Sequence, residues 1–178
     1  ARSPLILAAL AKAAVPHLNF VDVKGLTSGT NGAFDTALLT ATTGEHYVVR
    51  IANTQTAGAE QDVELRALKA LSKVDRMRLP FKLTNLIGEA KDEKGARALV
   101  FEFIYGNQTD ITTVGADTTL SSNIAKAIAA IHNLDTSIVE NAHLASFEPA
   151  EIVRGRVAEL DRFAATGKVP SVLLSRWE

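Results

Sequence analysis

The chain has no cysteine among its 178 residues. That excludes a disulfide scaffold, a thiolate nucleophile and a cysteine-ligated metal, and it suits the reducing cytoplasm expected as its location. An excess of charge is lacking too. Nineteen basic residues against twenty acidic ones leave a net charge of −1, so neither nucleic acid nor a membrane surface is expected as a partner. Long hydrophobic runs are also missing. The longest, Pro4 to Val15, is interrupted by Lys12 and stopped by Pro16, too short to span a bilayer. Arg2 in front and small residues behind would fit a signal-peptide core. Ser3-Pro4 is, however, a good helix start and Pro16 a good stop, which favours an amphipathic opening helix over 3–15.

Several chemical signatures are absent as well. The four histidines, His17, His46, His132 and His143, have no metal-ligand spacing. His132, among isoleucines and alanines, reads as a hydrogen-bonded structural residue, and Trp177 as core. No G-x-S-x-G elbow occurs. The stretch "KGLTSGTNGAF" holds Gly25, Gly29 and Gly32, but neither as G-x-G-x-x-G nor as a Walker A loop. Its glycines would let backbone N–H groups cradle a phosphate, and taken alone it reads as a plain β-turn.

What is present is an ordinary globular composition, 47% apolar and 22% charged, over a length that suits one domain or two small lobes. The first half reads as strands and turns. β-like segments run from Phe20 to Ala52, and "ALLTATTGEHYVVRIA" folds as a hairpin around Thr43, Gly44 and Glu45. A helix is predicted from about Gly58 to Leu71, with Val63, Leu65, Leu68 and Leu71 in its apolar stripe. After Leu79-Pro80 comes a second hairpin, Leu83 to Glu89 and Ala96 to Ile104, around "AKDEKG". The second half is helical. "SSNIAKAIAAIHNL" carries Ile124, Ile128 and Ile131 behind a serine N-cap, a helix runs from near Pro149 to Gly167, and another opens at Pro170.

One residue breaks the strand pattern. In "HYVVRIA", residues 46–52, Val48, Arg50 and Ala52 share one face and Tyr47, Val49 and Ile51 the other. An unpaired guanidinium cannot be left in a core. Arg50 therefore either snorkels from an edge strand or faces a cleft that wants a cation. The second case needs an acidic partner. Glu64, on the helix fourteen residues later, suits that role, with Glu60 as the alternative if the helix register differs.

The ordered series "YVVRIA", "ELRALKAL", "LPF", "LVFEFIYG", "IAKAIAAIHNLD" and "AELDRFAATGKVPSVLLSRWE", behind the glycine-containing loop, resembles the N-terminal part of the aminoglycoside phosphotransferase family. The nearest likeness is to its macrolide-phosphotransferase-like members. The resemblance implies an α+β chain: a protein-kinase-like N-lobe (antiparallel sheet plus one main helix) over 1–104, then a linker and the first helices of a helical C-lobe over 105–178. It implies that Arg50 stands where a strand-three lysine contacts the nucleotide phosphates, with Glu64 as its helix partner. Ser28, Gly29, Thr30, Asn31 and Gly32 would cover the phosphates, and Val48 would lie over the base. Glu102, Phe103 and Ile104 would form the hinge, with the backbone of Glu102 and Ile104 meeting the purine edge. The cofactor implied for the full-length protein is ATP or GTP with Mg2+, and a small-molecule alcohol is the implied acceptor.

The family's H-G-D-x-x-x-x-N loop is not found here. Leu18, Tyr47, Asn133 and Leu144 follow the four histidines, so none of them opens that loop. The chain thus reads as a kinase fragment ending upstream of its catalytic aspartate and metal ligands, inactive alone. Helices made to pack on a missing remainder imply self-association, as a dimer for example. Two other readings stand beside it: a non-catalytic nucleotide- or partner-binding module of the same fold, and an unrelated α+β binding domain with Arg50 on an edge.

Overall fold

Alternation builds the sheet. In β2 (Phe34–Ala41) every second residue is buried, and β3 (His46–Ala52) repeats the pattern with Tyr47, Val49 and Ile51 inward. β1 (Phe20–Leu26), β4 (Leu86–Lys91) and β5 (Arg97–Glu102) complete a five-stranded sheet in the order β1-β2-β3-β5-β4, with every pairing antiparallel. In this computed structural model the described residues are 2–26, 32–75, 78–106, 109, 111–168 and 172. Ser28, Gly29, Thr30, Asn31, Trp177 and the helix expected from Pro170 lie outside them.

The main core lies between one face of the sheet and α1 (Pro4–Ala14), which supplies Leu7 and Ala11, with Val15 just beyond its end. Ser3 caps the helix, its hydroxyl accepting from the Ile6 N–H, and Pro4 begins it as the sequence predicts. The helix end lies so close to β4 that a Cβ on Gly88 would stand 2.3 Å from the Ala14 carbonyl oxygen. Only glycine permits that approach.

Both hairpins close with the same turn. The Ala41 N–H donates to the Glu45 carbonyl and the Gly44 N–H to the Ala41 carbonyl. The Asp92 and Gly95 N–H groups repeat this with the carbonyls of Ala96 and Asp92. Each turn puts its glycine at positive φ, +86° for Gly44 and +82° for Gly95.

The other face of the sheet meets α2 (Gln55–Leu71). This helix starts three residues earlier than the sequence predicts. Thr54 caps it by accepting from the Ala57 N–H, and that first turn buries Ala57. Two-sided cover explains why β5 buries Ala98, Leu99, Val100 and Phe101 in succession. Beyond the sheet come α3 (Ile111–Val114), α4 (Thr118–His132) and α5 (Ser137–Asn141). The N-cap of α4 is Asp117, not the predicted serine, because Asp117 Oδ1 accepts from the Leu120 N–H while the Ser121 hydroxyl donates to the Val114 carbonyl.

The chain divides into two compact units, Ala1–Leu144 and Ala145–Glu178. The change of lobe expected at residue 104 falls inside the first unit. The second is built on α6 (Pro149–Ala165), which starts and ends close to the predicted bounds. Neither α4 nor α6 buries a residue fully, and no helix among the described residues is long and apolar enough to cross a membrane.

Candidate functional site

Antiparallel register places Arg50 at the centre of the sheet, between Thr36 of β2 and Leu99 of β5. It projects from the face opposite α1, because its neighbours Val49 and Ile51 fill the core. The guanidinium ion-pairs with Glu64 of α2. Glu60 is exposed and makes no such pair, so the helix register is the one that favours Glu64. Two aromatic rings complete the surroundings: the Arg50 Cζ lies 4.7 Å from the Phe34 centroid and 5.8 Å from that of Phe101.

The pair is not closed to water. The Arg50 side chain keeps 24% of its surface accessible and Glu64 keeps 42%. Arg50 Nε is buried without a hydrogen-bond partner among the described residues, and so is Nε2 of Gln61, one turn before Glu64. The accessible part of the guanidinium presents a positive charge along this seam, which suits an anion.

Val48 lies two residues along the same face, half-buried, opposite Leu38 and Phe101. His46 follows on that face. Its ring is edge-on to Phe103 at 6.0 Å, and its backbone N–H donates to the Tyr105 hydroxyl at 3.1 Å. Phe103 and Tyr105 pack edge to face at 5.1 Å, so the segment after β5 turns back over the start of β3. The Phe103 N–H donates to the His46 carbonyl, and the Glu102 N–H to the Asn85 carbonyl. The Glu102 carbonyl already accepts a long bond from the Thr84 hydroxyl, 3.4 Å, while Ile104 stands exposed. Gly32 is at φ +66°, before β2.

Three features escape a reading of the sequence. Phe34 and Phe101 flank Arg50 from neighbouring strands. Arg97, on the Arg50 face of β5, bridges Asp62 of α2 and Glu89 of β4. The Glu89 carboxylate first, and Asp62 with it, outweigh burial and push the Arg97 pKa above its ordinary value. The third feature is a cluster around Arg2, on the far side of the sheet. Strand alternation could have found Arg97, since 97, 99 and 101 share a face. Among the described residues, no group of three or more acids or histidines is placed to hold a metal.

No protein-family model matches the sequence, and no curated protein is significantly similar to it. Solved structures are. The macrolide 2'-phosphotransferase MphH from Brachybacterium faecium, as apoenzyme, matches with a TM-score of 0.74 at 18% identity, over 96% of this chain and 57% of that one. The GDP complex of wild-type aminoglycoside 2'-phosphotransferase-IIIa matches with a TM-score of 0.72 at 13% identity, over 96% of this chain and 54% of that one. A thermostable mutant of an aminoglycoside phosphotransferase, in ternary complex with AMP-PNP and hygromycin B, matches with a TM-score of 0.53 at 14% identity, over 73% and 40%. The chain thus has the kinase-like fold of the antibiotic phosphotransferases, and spans a little over half the length of the first two.

Proposed function

We propose that this chain is the nucleotide-binding part of a phosphotransferase that acts on an alcohol of a small molecule. The observation that carries the proposal is the Arg50–Glu64 pair, between the sheet and α2 in a chain with this fold. In that reading the guanidinium fork meets the nucleotide phosphates and Glu64 keeps it aimed. Val48 covers the base, the hinge from Glu102 to Ile104 meets its edge, and the stretch Ser28 to Gly32 approaches the phosphates. The lobe boundary near residue 104 is part of the same proposal. The partly accessible guanidinium of Arg50 fits an anionic group. GDP and AMP-PNP in the structural neighbours are consistent with a nucleotide, and both ATP and GTP suit the site.

When bound, the nucleotide supplies the phosphoryl group, and this chain's residues hold and orient it. Mg2+ ligands and a catalytic base belong, in this proposal, to residues beyond this sequence, so the chain alone is inactive. Its exposed isoleucine stripe on α4 favours self-association, and cytoplasmic residence suits a cysteine-free nucleotide enzyme. Fold alone does not fix a reaction. The second reading is a non-catalytic nucleotide- or partner-binding module of the same fold.

Calorimetry with Mg-ATP and Mg-GTP tests the binding claim. Wild type is expected to bind at least one of them, and Arg50→Ala to lose about tenfold or more in affinity. Equal binding by both proteins returns Arg50 to a structural role. A product assay on a longer form of the protein with a hydroxyl acceptor separates enzyme from module.

A further inference from the structure

On the face of the sheet that carries α1, a polar cluster ties together parts of the chain distant in sequence. Asn53 lies between β3 and the N-cap of α2. Its Nδ2 donates to the Gly32 carbonyl at 2.9 Å and to Asp35 Oδ1 at 3.0 Å, and its backbone N–H donates to the Ala33 carbonyl at 2.8 Å. Its Oδ1 accepts from Arg2 Nη1 at 2.7 Å. Asp35, only 5% exposed, accepts on Oδ2 from the Arg2 backbone N–H at 2.8 Å and from Nη1 at 3.1 Å. Arg2 then reaches the β4–β5 turn, with Nη2 2.7 Å and Nε 3.2 Å from Asp92 Oδ2. Asp92 Oδ1 accepts from the N–H groups of Lys94 and Ala96.

Nothing in the sheet ladder requires this arrangement. A carboxylate buried on the core face of β2 is costly unless it is fully bonded. Here it is, and the bonds converge on one place. Gly32 and Ala33 form the foot by which the chain enters β2, and their carbonyls both accept from Asn53. Asn53 is also three residues from Arg50 and immediately ahead of the helix that carries Glu64.

We propose that Arg2, Asp35 and Asn53 are positioning residues for the phosphate end of the nucleotide site. They lock the Gly32–Ala33 foot to the β3–α2 junction, and so fix the loop entry and the Arg50–Glu64 pair relative to each other. Arg2 holds the lock shut from outside by neutralising Asp35 and by anchoring to Asp92. The identity of the ligand rests on the nucleotide reading above. The lock itself does not.

Two measurements on the 178-residue chain test this. The first is amide hydrogen exchange without ligand, in wild type, Asn53→Ala and Arg2→Ala. Both variants should lose about tenfold in protection at the residue-53 amide, whose N–H donates to the Ala33 carbonyl, with β5 amides such as Val100 unchanged. Unchanged protection at residue 53 overturns the lock. The second compares Mg-ATP and Mg-GTP with adenosine and guanosine. Both variants should lose about tenfold in triphosphate affinity and keep nucleoside affinity within about twofold. Parallel loss of nucleoside and triphosphate binding overturns the positioning role and leaves a purely structural one. If wild type binds no nucleotide, the nucleotide reading falls with the phosphate role, and the exchange result still decides the lock. Arg2→Lys keeps the charge without the fork, so it should recover part of the loss.

Discussion

Arg50 carries its charge where water reaches only part of it. The apolar side chains of Phe34, Leu99 and Phe101 surround its stem, one of its donors is unmet, and its carboxylate partner is itself half in solvent. An exposed ion pair of this kind contributes about 0–1 kcal/mol, and an unmet buried donor offsets part of that. Arg50→Met keeps the stem and deletes both the charge and the unmet donor. Thermal unfolding should therefore show a midpoint equal to or above that of wild type, while nucleotide affinity falls by about tenfold or more. A midpoint several degrees lower would mean that the pair serves the fold.

Asp35 gives the residue scale its pH signature. Burial alone would raise its pKa. The hydrogen bond from Asn53, and those from Arg2, outweigh burial and hold the carboxyl below its ordinary value of 3.8. A carboxyl depressed in the folded state stabilises it above the unfolded pKa, and that contribution is lost as pH falls through the lower folded value. Asp92 shifts the same way, its bond from Arg2 the largest cause. Stability measured in denaturant should thus fall as pH drops below about 4. In Asp35→Asn the acid limb should be shallower and the protein less stable near neutrality. A limb of unchanged slope would count against the cluster.

At this scale the sequence exposed the charge and its partner, since alternation put Arg50 on the face away from Val49 and helical reach brought Glu64 to it. Phe34 and Phe101 were not legible. Alternation tells which face a residue takes, but which ring crosses a guanidinium depends on the register between strands. The Arg2 cluster was illegible for a different reason. Its members are up to ninety positions apart, and no local pattern links them.

Elements were read well where a stop or a glycine marks them. Ser3-Pro4, Gly44, Gly95 and Pro149 all stand where the structure turns or begins a helix. The start of α2 was missed because Thr54 caps a first turn that runs through Gly58, a poor helix former. Tertiary contact also gives Gly88 a role that no propensity scale assigns. A methyl there would press into the Ala14 carbonyl, a backbone group at the end of α1 that cannot rotate aside. Gly88→Ala should cost about 1–3 kcal/mol, the range for overpacking. Urea unfolding should show a lower midpoint with an unchanged slope. Gly115→Ala is the control, since a Cβ there meets nothing within 4 Å. Equal midpoints for the two variants would mean that α1 shifts freely on β4.

Across the whole molecule a packed sheet stands beside helices with exposed apolar stripes. Leu7, Leu39, Val49, Ile51 and Val100 are nearly inaccessible, so the sheet and α1 form a packed core by themselves. On α4, by contrast, Ile128 and Ile131 keep about half of their surface in water, and Ile124 lies on the same stripe. Amphipathic helices in general bury such stripes against a neighbour. An open apolar stripe of that kind lowers its free energy by meeting another. Multi-angle light scattering should show a mass that rises with concentration above that of one 19.0 kDa chain. The double substitution Ile128→Glu with Ile131→Glu should return it to the mass of a monomer. The nucleotide affinity of that variant should match wild type, because Arg50 and Glu64 lie on other elements. Wild type that remains a monomer at millimolar concentration would show that α4 is satisfied as it stands.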